Sequence, residues 1–260
     1  MRYTWVFRLS VTLLGERSIS ISVQQRLQQA LCNWQQWRTP FELAHQPRVV
    51  REFSNGLTNR TFLVAADKGQ AVVRINSVDS LKLGINRQRE GNILHHLQAT
   101  SLVPEVYYND QHIMVSEFIE GSSLSDKSLK NTEIRDSLYM ALSQIQSIKI
   151  PGEKPRNYLE YCRDYLGQLS NKTLSTTVTG QIETVASAVD NDDWQAVICH
   201  HDLVPDNIIA NDRGIFIIDW EYAALGHPQL DFLVLDEKGI PSSLLELKQA
   251  MDTLWLAVQQ

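Results

Sequence analysis

From Val23 to Trp37 the chain reads VQQRLQQALCNWQQW, with Leu27, Ala30, Leu31 and Trp34 recurring at three- and four-residue intervals among glutamines. That spacing puts the apolar side chains on one face of a helix. The period then changes. Arg48–Phe53, Thr61–Ala66 and Ala71–Asn76 are short runs rich in Val, Phe and Ile, as expected of strands in a half-buried sheet. DKGQ between the last two reads as a hairpin turn, so a small antiparallel sheet is predicted. A helix is expected over Ile85 to Gln98, with Ile93, Leu94 and Leu97 as its stripe, and then strands at Val106–Tyr108 and Ile113–Phe118 around NDQ.

Beyond Gly121 the pattern is mainly helical: Leu138, Leu142 and Ile145 share one face, and Tyr158, Tyr161 and Tyr165 share another. Two short apolar runs, AVIC at 196–199 and IFII at 215–218, are expected to be strands that flank and present the polar loop HHDLVPDN, residues 200–207. The reading is an α+β chain in two lobes. Residues 1–45 form an N-terminal extension and helix, 46–120 a sheet-rich amino lobe and 121–260 a helical carboxy lobe, the change of pattern falling near 118–124.

Composition narrows the partners. With 260 residues and 43% hydrophobic content, the chain can bury a substantial core. Its net charge of −6 argues against a broad nucleic-acid-binding surface, so no nucleic-acid partner is expected. Cys32, Cys162 and Cys199 are odd in number and far apart, which gives no disulfide framework or zinc cluster and fits a reducing cytoplasm. The opening MRYTWVFRLSVTLLGERS is interrupted by Arg8 and is read as neither signal peptide nor membrane span, so no membrane partner is expected.

The polar loop carries the chemistry. Magnesium takes hard oxygen ligands, commonly one or two from protein beside phosphate oxygens. Asn207 and Asp219 suit that role, because a turn at Asn211–Gly214 would bring the entry of one strand beside the exit of the next. Asp202 is then placed to orient, or take a proton from, a substrate hydroxyl. His200 is assigned to bracing the loop, and His201 is read as a filler. Taken singly, each Asp or Asn is equally at home capping a turn.

Together, HHDLVPDN and IIDWEYAALGHPQLD resemble the phosphotransferase superfamily of aminoglycoside phosphotransferases, choline and ethanolamine kinases and bacterial thiamine kinases, which is similar in fold to protein kinases. The resemblance implies a catalytic HxDxxxxN loop at His200, Asp202 and Asn207, a second metal-binding Asp at Asp219, and a structural Asp at Asp231. It also implies that SNGLTNRTFLV covers the nucleotide with Asn55, Gly56, Leu57, Thr58 and Asn59, that Arg74 in AVVRIN contacts phosphate and pairs with Glu90, and that Glu117, Phe118 and Ile119 in VSEFIEG run along the adenine. Arg rather than Lys at position 74 places the chain nearer to choline and thiamine kinases than to the aminoglycoside branch.

The implied activity is transfer of phosphate from ATP, with Mg²⁺, to the hydroxyl of a small cationic alcohol such as choline, ethanolamine or thiamine. Tyr158, Tyr161, Tyr165, Trp220 and Glu221 are the candidates for meeting the acceptor, the rings by cation–π contact. The rival readings are an aminoglycoside phosphotransferase, a non-catalytic nucleotide-binding relative, for which His227 in GHPQLD gives slight support, and a DNA-binding regulator using the first helix. Only 41 residues follow Asp219. The expectation is therefore a reduced acceptor pocket, one completed by a partner, or a chain that is cut short. ATP versus GTP and the oligomeric state stay open.

Overall fold

The computed structural model describes residues 22–53, 58–169, 173–235 and 239–259. The first helix, α1 (Val23–Cys32), begins at a capping box in which Ser22 and Gln25 satisfy each other's backbone N–H groups. Leu27, Ala30 and Leu31 are its buried face. They pack with Trp37 against Phe62, Val64, Ala71, Val73 and Ile75, so the described part of the N-terminal segment is built into the amino-lobe core.

The sheet consists of β1 (Arg48–Phe53), β2 (Arg60–Ala66), β3 (Gly69–Ile75), β4 (Val106–Asn109) and β5 (Ile113–Glu117), antiparallel in the order β1-β2-β3-β5-β4. Asp67 takes a positive φ of 43° at the β2–β3 turn. Gly69, beside it, lets Phe41 close over the hairpin, since a Cβ there would stand 2.5 Å from that ring. Alternation along β3 sorts its side chains between the two faces. Val73 and Ile75 face α1, so Arg74 between them points to the opposite side of the sheet.

That opposite side is covered by α2 (Arg87–Leu97), whose N-cap Asn86 accepts the Arg89 N–H. Ile93, Leu94 and Leu97 join Met114 in one cluster with Leu138, Leu142, Ile145, Ile198, Ile208, Ile217 and Trp220. Each fully buried Leu or Ile there stabilises by about 1.5–3 kcal/mol. One core therefore runs from the sheet through α2 into the carboxy half, and the region 118–124 changes structure type without interrupting the packing.

After β6 (Ser122–Ser123) come α3 (Thr132–Ser147), α4 (Tyr158–Leu166), α5 (Thr176–Asp190), β7 (Val197–Cys199), β8 (Ile208–Asn211), β9 (Gly214–Ile217), β10 (Ala224–Gly226) and α6 (Ser242–Val258). The expected pair of strands around the polar loop does not pair. β7 lies against β10, while β8 and β9 form a hairpin extended by β6. The loop thus crosses between two sheets, which is why both of its ends are fixed independently. α4, α5 and α6 pack together through Tyr158, Tyr165, Ile182, Ala186, Leu247 and Leu254. Among the described residues no helix is long and apolar enough to cross a membrane.

Candidate active site

Hairpin register decides where the two proposed metal ligands lie. Asn211 pairs with Gly214 and Ile208 with Ile217, and beyond the ladder the Ile218 N–H donates to the Asn207 carbonyl at 2.9 Å. Asn207 and Asp219 are thereby held at the same end of one hairpin. The Asn207 amide donates to the Asp202 carbonyl at 2.9 Å, which ties it back to the loop and leaves its Oδ1 as an acceptor. Asp219 adopts the left-handed region, φ 61° and ψ 59°. This costly conformation for a non-glycine residue swings its carboxylate out of the strand direction.

The rest of the loop is suspended from Asp231. Its carboxylate accepts the backbone N–H groups of His200 at 2.7 Å and His201 at 3.1 Å. His200 is fully buried, with Nδ1 accepting the Asp202 N–H at 3.3 Å and Nε2 donating to the Ile218 carbonyl at 2.8 Å. Burial holds its pKa below the ordinary value, against the pull of Asp231. With both nitrogens engaged, His200 braces the loop and has no proton in flight.

His201 requires a correction. It is buried, takes φ 67°, and links the Cys199 carbonyl to the Tyr158 hydroxyl, each at 3.2 Å, so it is a fixed strut and not a filler. Tyr158 is corrected with it. Its ring is fully buried and its hydroxyl also accepts the His227 N–H at 2.9 Å, so it supports the loop from behind and does not meet a ligand. Trp220 is likewise core: its indole N–H donates to the Ile217 carbonyl at 2.8 Å and its ring lies 4.8 Å from that of His200. A large ring in this fold is worth more to packing than to a solvent-facing cleft. Tyr165 is buried as well, its hydroxyl on the Leu83 carbonyl at 2.5 Å.

Asp202 is different, because among the described residues nothing donates a hydrogen bond to its carboxylate. Its pKa is raised to about 6, chiefly by burial, with Lys248 opposing and Asp252 and Glu221 adding to the rise. Lys248 and Asp252 come from α6. The C-terminal helix therefore reaches Asp202, and further along it Trp255 donates to the Tyr222 hydroxyl at 2.8 Å, in a cluster with Leu83 and Ile85. Tyr161 is also near Asp202, but one face of its ring already carries the Arg156 guanidinium at 4.2 Å.

From the sheet side, Arg74 holds Glu90 through two contacts, 2.7 Å and 2.8 Å, and stands 3.7 Å from Asp219. The expected strand cation and helix acid are thus joined to the loop. Burial pushes the Glu90 carboxyl up, and Arg74 with Arg87 outweighs it, leaving its pKa below the ordinary value. Asp219 goes the other way: desolvation by the surrounding protein raises it, though 44% of its side chain stays exposed, while Arg74 opposes and Glu90 and Asp202 add repulsion.

Four carboxylates, Glu90, Asp202, Asp219 and Glu221, thus gather around two guanidinium groups, Arg74 and Arg87. A divalent cation fits that surplus. The donor set, one carboxylate and one amide oxygen, suits magnesium completed by phosphate and water, and no group of three or more His, Cys, Asp or Glu forms a closed metal cage among the described residues.

Glu221 and Asn59 are displaced from their expected roles. Glu221 is buried and accepts from Asn59 at 2.7 Å and Arg87 at 3.0 Å, so it does not face an acceptor. The Asn59 side chain is wholly engaged, its Oδ1 also taking the Ser77 N–H at 3.2 Å and Arg87 at 2.8 Å. Asn55, Gly56 and Leu57 lie outside the described residues. Thr58, which precedes Asn59, touches the Tyr222 hydroxyl. In the connecting segment Glu117 is paired with Arg213 at 2.5 Å and takes the Glu105 N–H at 3.3 Å, Phe118 packs near Phe53 with ring centroids 6.4 Å apart, and Ile119 is buried. Nucleotide contact by this segment would fall to its backbone.

Residues 49–239 match the model of the phosphotransferase enzyme family. The chain belongs to that family. The chain is 24% identical over 206 residues to protein LicA of Haemophilus influenzae, an alignment that takes in 76% of this chain and 60% of the relative. It is 22% identical to mouse ethanolamine kinase 2 over 203 residues, 72% of this chain and 52% of the relative. The chain therefore spans only about half to three-fifths of these two relatives. In fold it resembles the choline kinase LicA from Streptococcus pneumoniae, with a TM-score of 0.64 and 23% identity over 81% of this chain and 86% of that one. The two-lobed α+β architecture is that of the protein-kinase-like phosphotransferases.

Proposed function

We propose that this phosphotransferase moves the terminal phosphate of ATP, with Mg²⁺, onto the hydroxyl of a small cationic alcohol of the choline or ethanolamine class. The observation that carries the proposal is the convergence of Asn207, Asp219 and Arg74, with the Asp202 loop tied to Asn207 and its carboxylate accepting no hydrogen bond among the described residues. In this reading Asn207 and Asp219 hold the metal, which neutralises charge on the transferring group. Arg74, kept charged by Glu90, Asp219 and Glu221 against the cost of its burial, faces the phosphates. Asp202 orients the acceptor hydroxyl and takes its proton as the new phosphate ester forms.

The acidic surroundings of Asp202, where Asp252 and Glu221 outnumber Lys248, support a cationic acceptor over a neutral or anionic one. Because Arg156 already covers a face of Tyr161, that ring is a poor cation partner.

The test is ATP consumption with Mg²⁺ across choline, ethanolamine, thiamine and an aminoglycoside, in the wild type and in Asp202→Ala. Turnover stimulated by one small amine alcohol and abolished by the substitution is the expected result. Turnover with the aminoglycoside alone would move the acceptor class, and nucleotide binding without acceptor-dependent turnover would make the chain a non-catalytic relative.

A further inference from the structure

Arg87 was not among the residues expected at the site, yet it joins more of it than any other side chain. It opens α2, and is buried, with 8% of its surface exposed. Its Nη1 donates to Glu90 at 2.9 Å, and its Nη2 reaches Asn59 at 2.8 Å, Glu221 at 3.0 Å and Ser80 at 3.2 Å. Glu90 Oε2 is shared, because Arg74 donates to the same oxygen at 2.8 Å.

Followed around, the contacts close a ring. Asp219 faces Arg74, Arg74 holds Glu90, Glu90 holds Arg87, and Arg87 holds Glu221, which the backbone of the turn Trp220–Tyr222 joins back to Asp219. Two members come from the carboxy half and three from the sheet and α2. Arg74 alone touches the turn at one end only, at the long distance of 3.7 Å. Trp220 and Tyr222 anchor the turn within the carboxy half, on the Ile217 carbonyl, Trp255 and Arg156; toward the sheet and α2 it is Arg87 on Glu221 that adds a second tie to the one Arg74 makes with Asp219. Asn59 reinforces the second restraint, its Nδ2 donating to the same Glu221 oxygen that Arg87 reaches.

We infer that Arg87, assisted by Asn59, is a positioning residue: by gripping Glu221 it sets the angle at which Asp219 is presented to the metal and phosphates. The kinetic side of this inference rests on the proposed kinase reading, whereas its structural side does not. An ion cluster serving stability alone would have no reason to act on the turn more than on the rest of the carboxy half.

The experiment compares full-length wild type with Arg87→Met, Arg87→Lys and Asn59→Ser. Hydrogen exchange of the backbone amides of 220–223 is read against those of α3, and turnover is read against binding of a non-hydrolysable ATP analogue. In Arg87→Met the turn amides exchange at least about tenfold faster while α3 is unchanged, because a lost local restraint opens only its own segment. Turnover falls about 10²-fold, the usual cost of a misplacement near 1 Å, while analogue affinity changes less than about threefold, as expected for an interaction acting in the transition state.

Arg87→Lys recovers part of the turnover, since an ammonium restores the charge but not the fork. Should Arg87→Met fail to fold, Asn59→Ser decides, with faster exchange confined to the same turn. Faster exchange spread equally over α3 and the turn, or unchanged exchange at 220–223, overturns the inference. If no alcohol is phosphorylated by the wild type, the kinase reading falls, and the exchange data still decide the role of Arg87.

Discussion

At Asp202 catalysis and stability pull in opposite directions, and the conflict has a size. Its carboxyl is raised from an ordinary 3.8 to about 6, chiefly by burial, with Lys248 opposing and Asp252 and Glu221 repelling. A gap of about two pH units, at about 1.36 kcal/mol each, makes the ionised residue a liability of about 3 kcal/mol to the fold. Asp202→Asn removes the charge at constant shape, and the unmet hydrogen bonds of its amide cost about 1–2 kcal/mol in return. The variant is therefore expected to be more stable than wild type by about 1–2 kcal/mol at pH 8, without metal or nucleotide.

The pH dependence comes from the direction of the shift. The folded protein holds this proton more tightly than the unfolded chain, so the wild type is unpenalised below about pH 4, loses stability through pH 4–6 and carries the whole penalty above pH 6. By pH 5 the penalty itself falls to about half, so the advantage of the variant, after the cost of its amide, should fall to about zero. Urea denaturation of both proteins at pH 8, 6 and 5 measures it, and turnover on the same samples should fall by at least about 10²-fold. An Asp202→Asn protein that is less stable than wild type at pH 8, or whose gain is the same at pH 5 and pH 8, would refute the reasoning.

The same carboxyl predicts an acid limb in kcat/KM near pH 6, moving upward in Lys248→Met and downward in Asp252→Asn, because the first removes an attraction for the carboxylate and the second a repulsion; a limb that ignores both would show that another group titrates. Asn207→Ala should raise the Mg²⁺ concentration needed for half-maximal turnover at least about tenfold with little loss of fold stability, since it removes an oxygen donor from a part-buried site. Gly226→Ala would place a Cβ 2.5 Å from the Tyr158 hydroxyl and 2.7 Å from His201. Such overpacking costs about 1–3 kcal/mol in denaturation, and it should slow turnover by shifting the strut under the loop.

Much of this site was legible along the chain because its parts are local. HHDLVPDN and IIDW are separated by one hairpin, and pairing of Ile208 with Ile217 comes from apolar runs on either side of a turn at Asn211–Gly214. The cation on β3 and the acid on α2 were legible for the same reason: strand alternation and helical spacing fix which way Arg74 and Glu90 point. Arg87, three residues before Glu90 on the same helix, pairs with it in the structure and was not singled out along the chain. Nothing local said that its other end would meet Glu221, 134 positions away.

By itself the sequence determined the period of each element, the strand-to-helix change and the short-range acidic loop. Tertiary structure alone decided which aromatic rings became core, since burial of Tyr158 and Trp220 depends on what packs behind the loop. It also decided that β7 and β9 lie in different sheets, and that α6 brings Lys248 and Asp252 to Asp202. The division has a physical cause. Hydrophobic periodicity is set by neighbours three or four positions apart, whereas the electrostatics of a buried carboxylate are set by every charge within several ångströms, whatever its place in the chain.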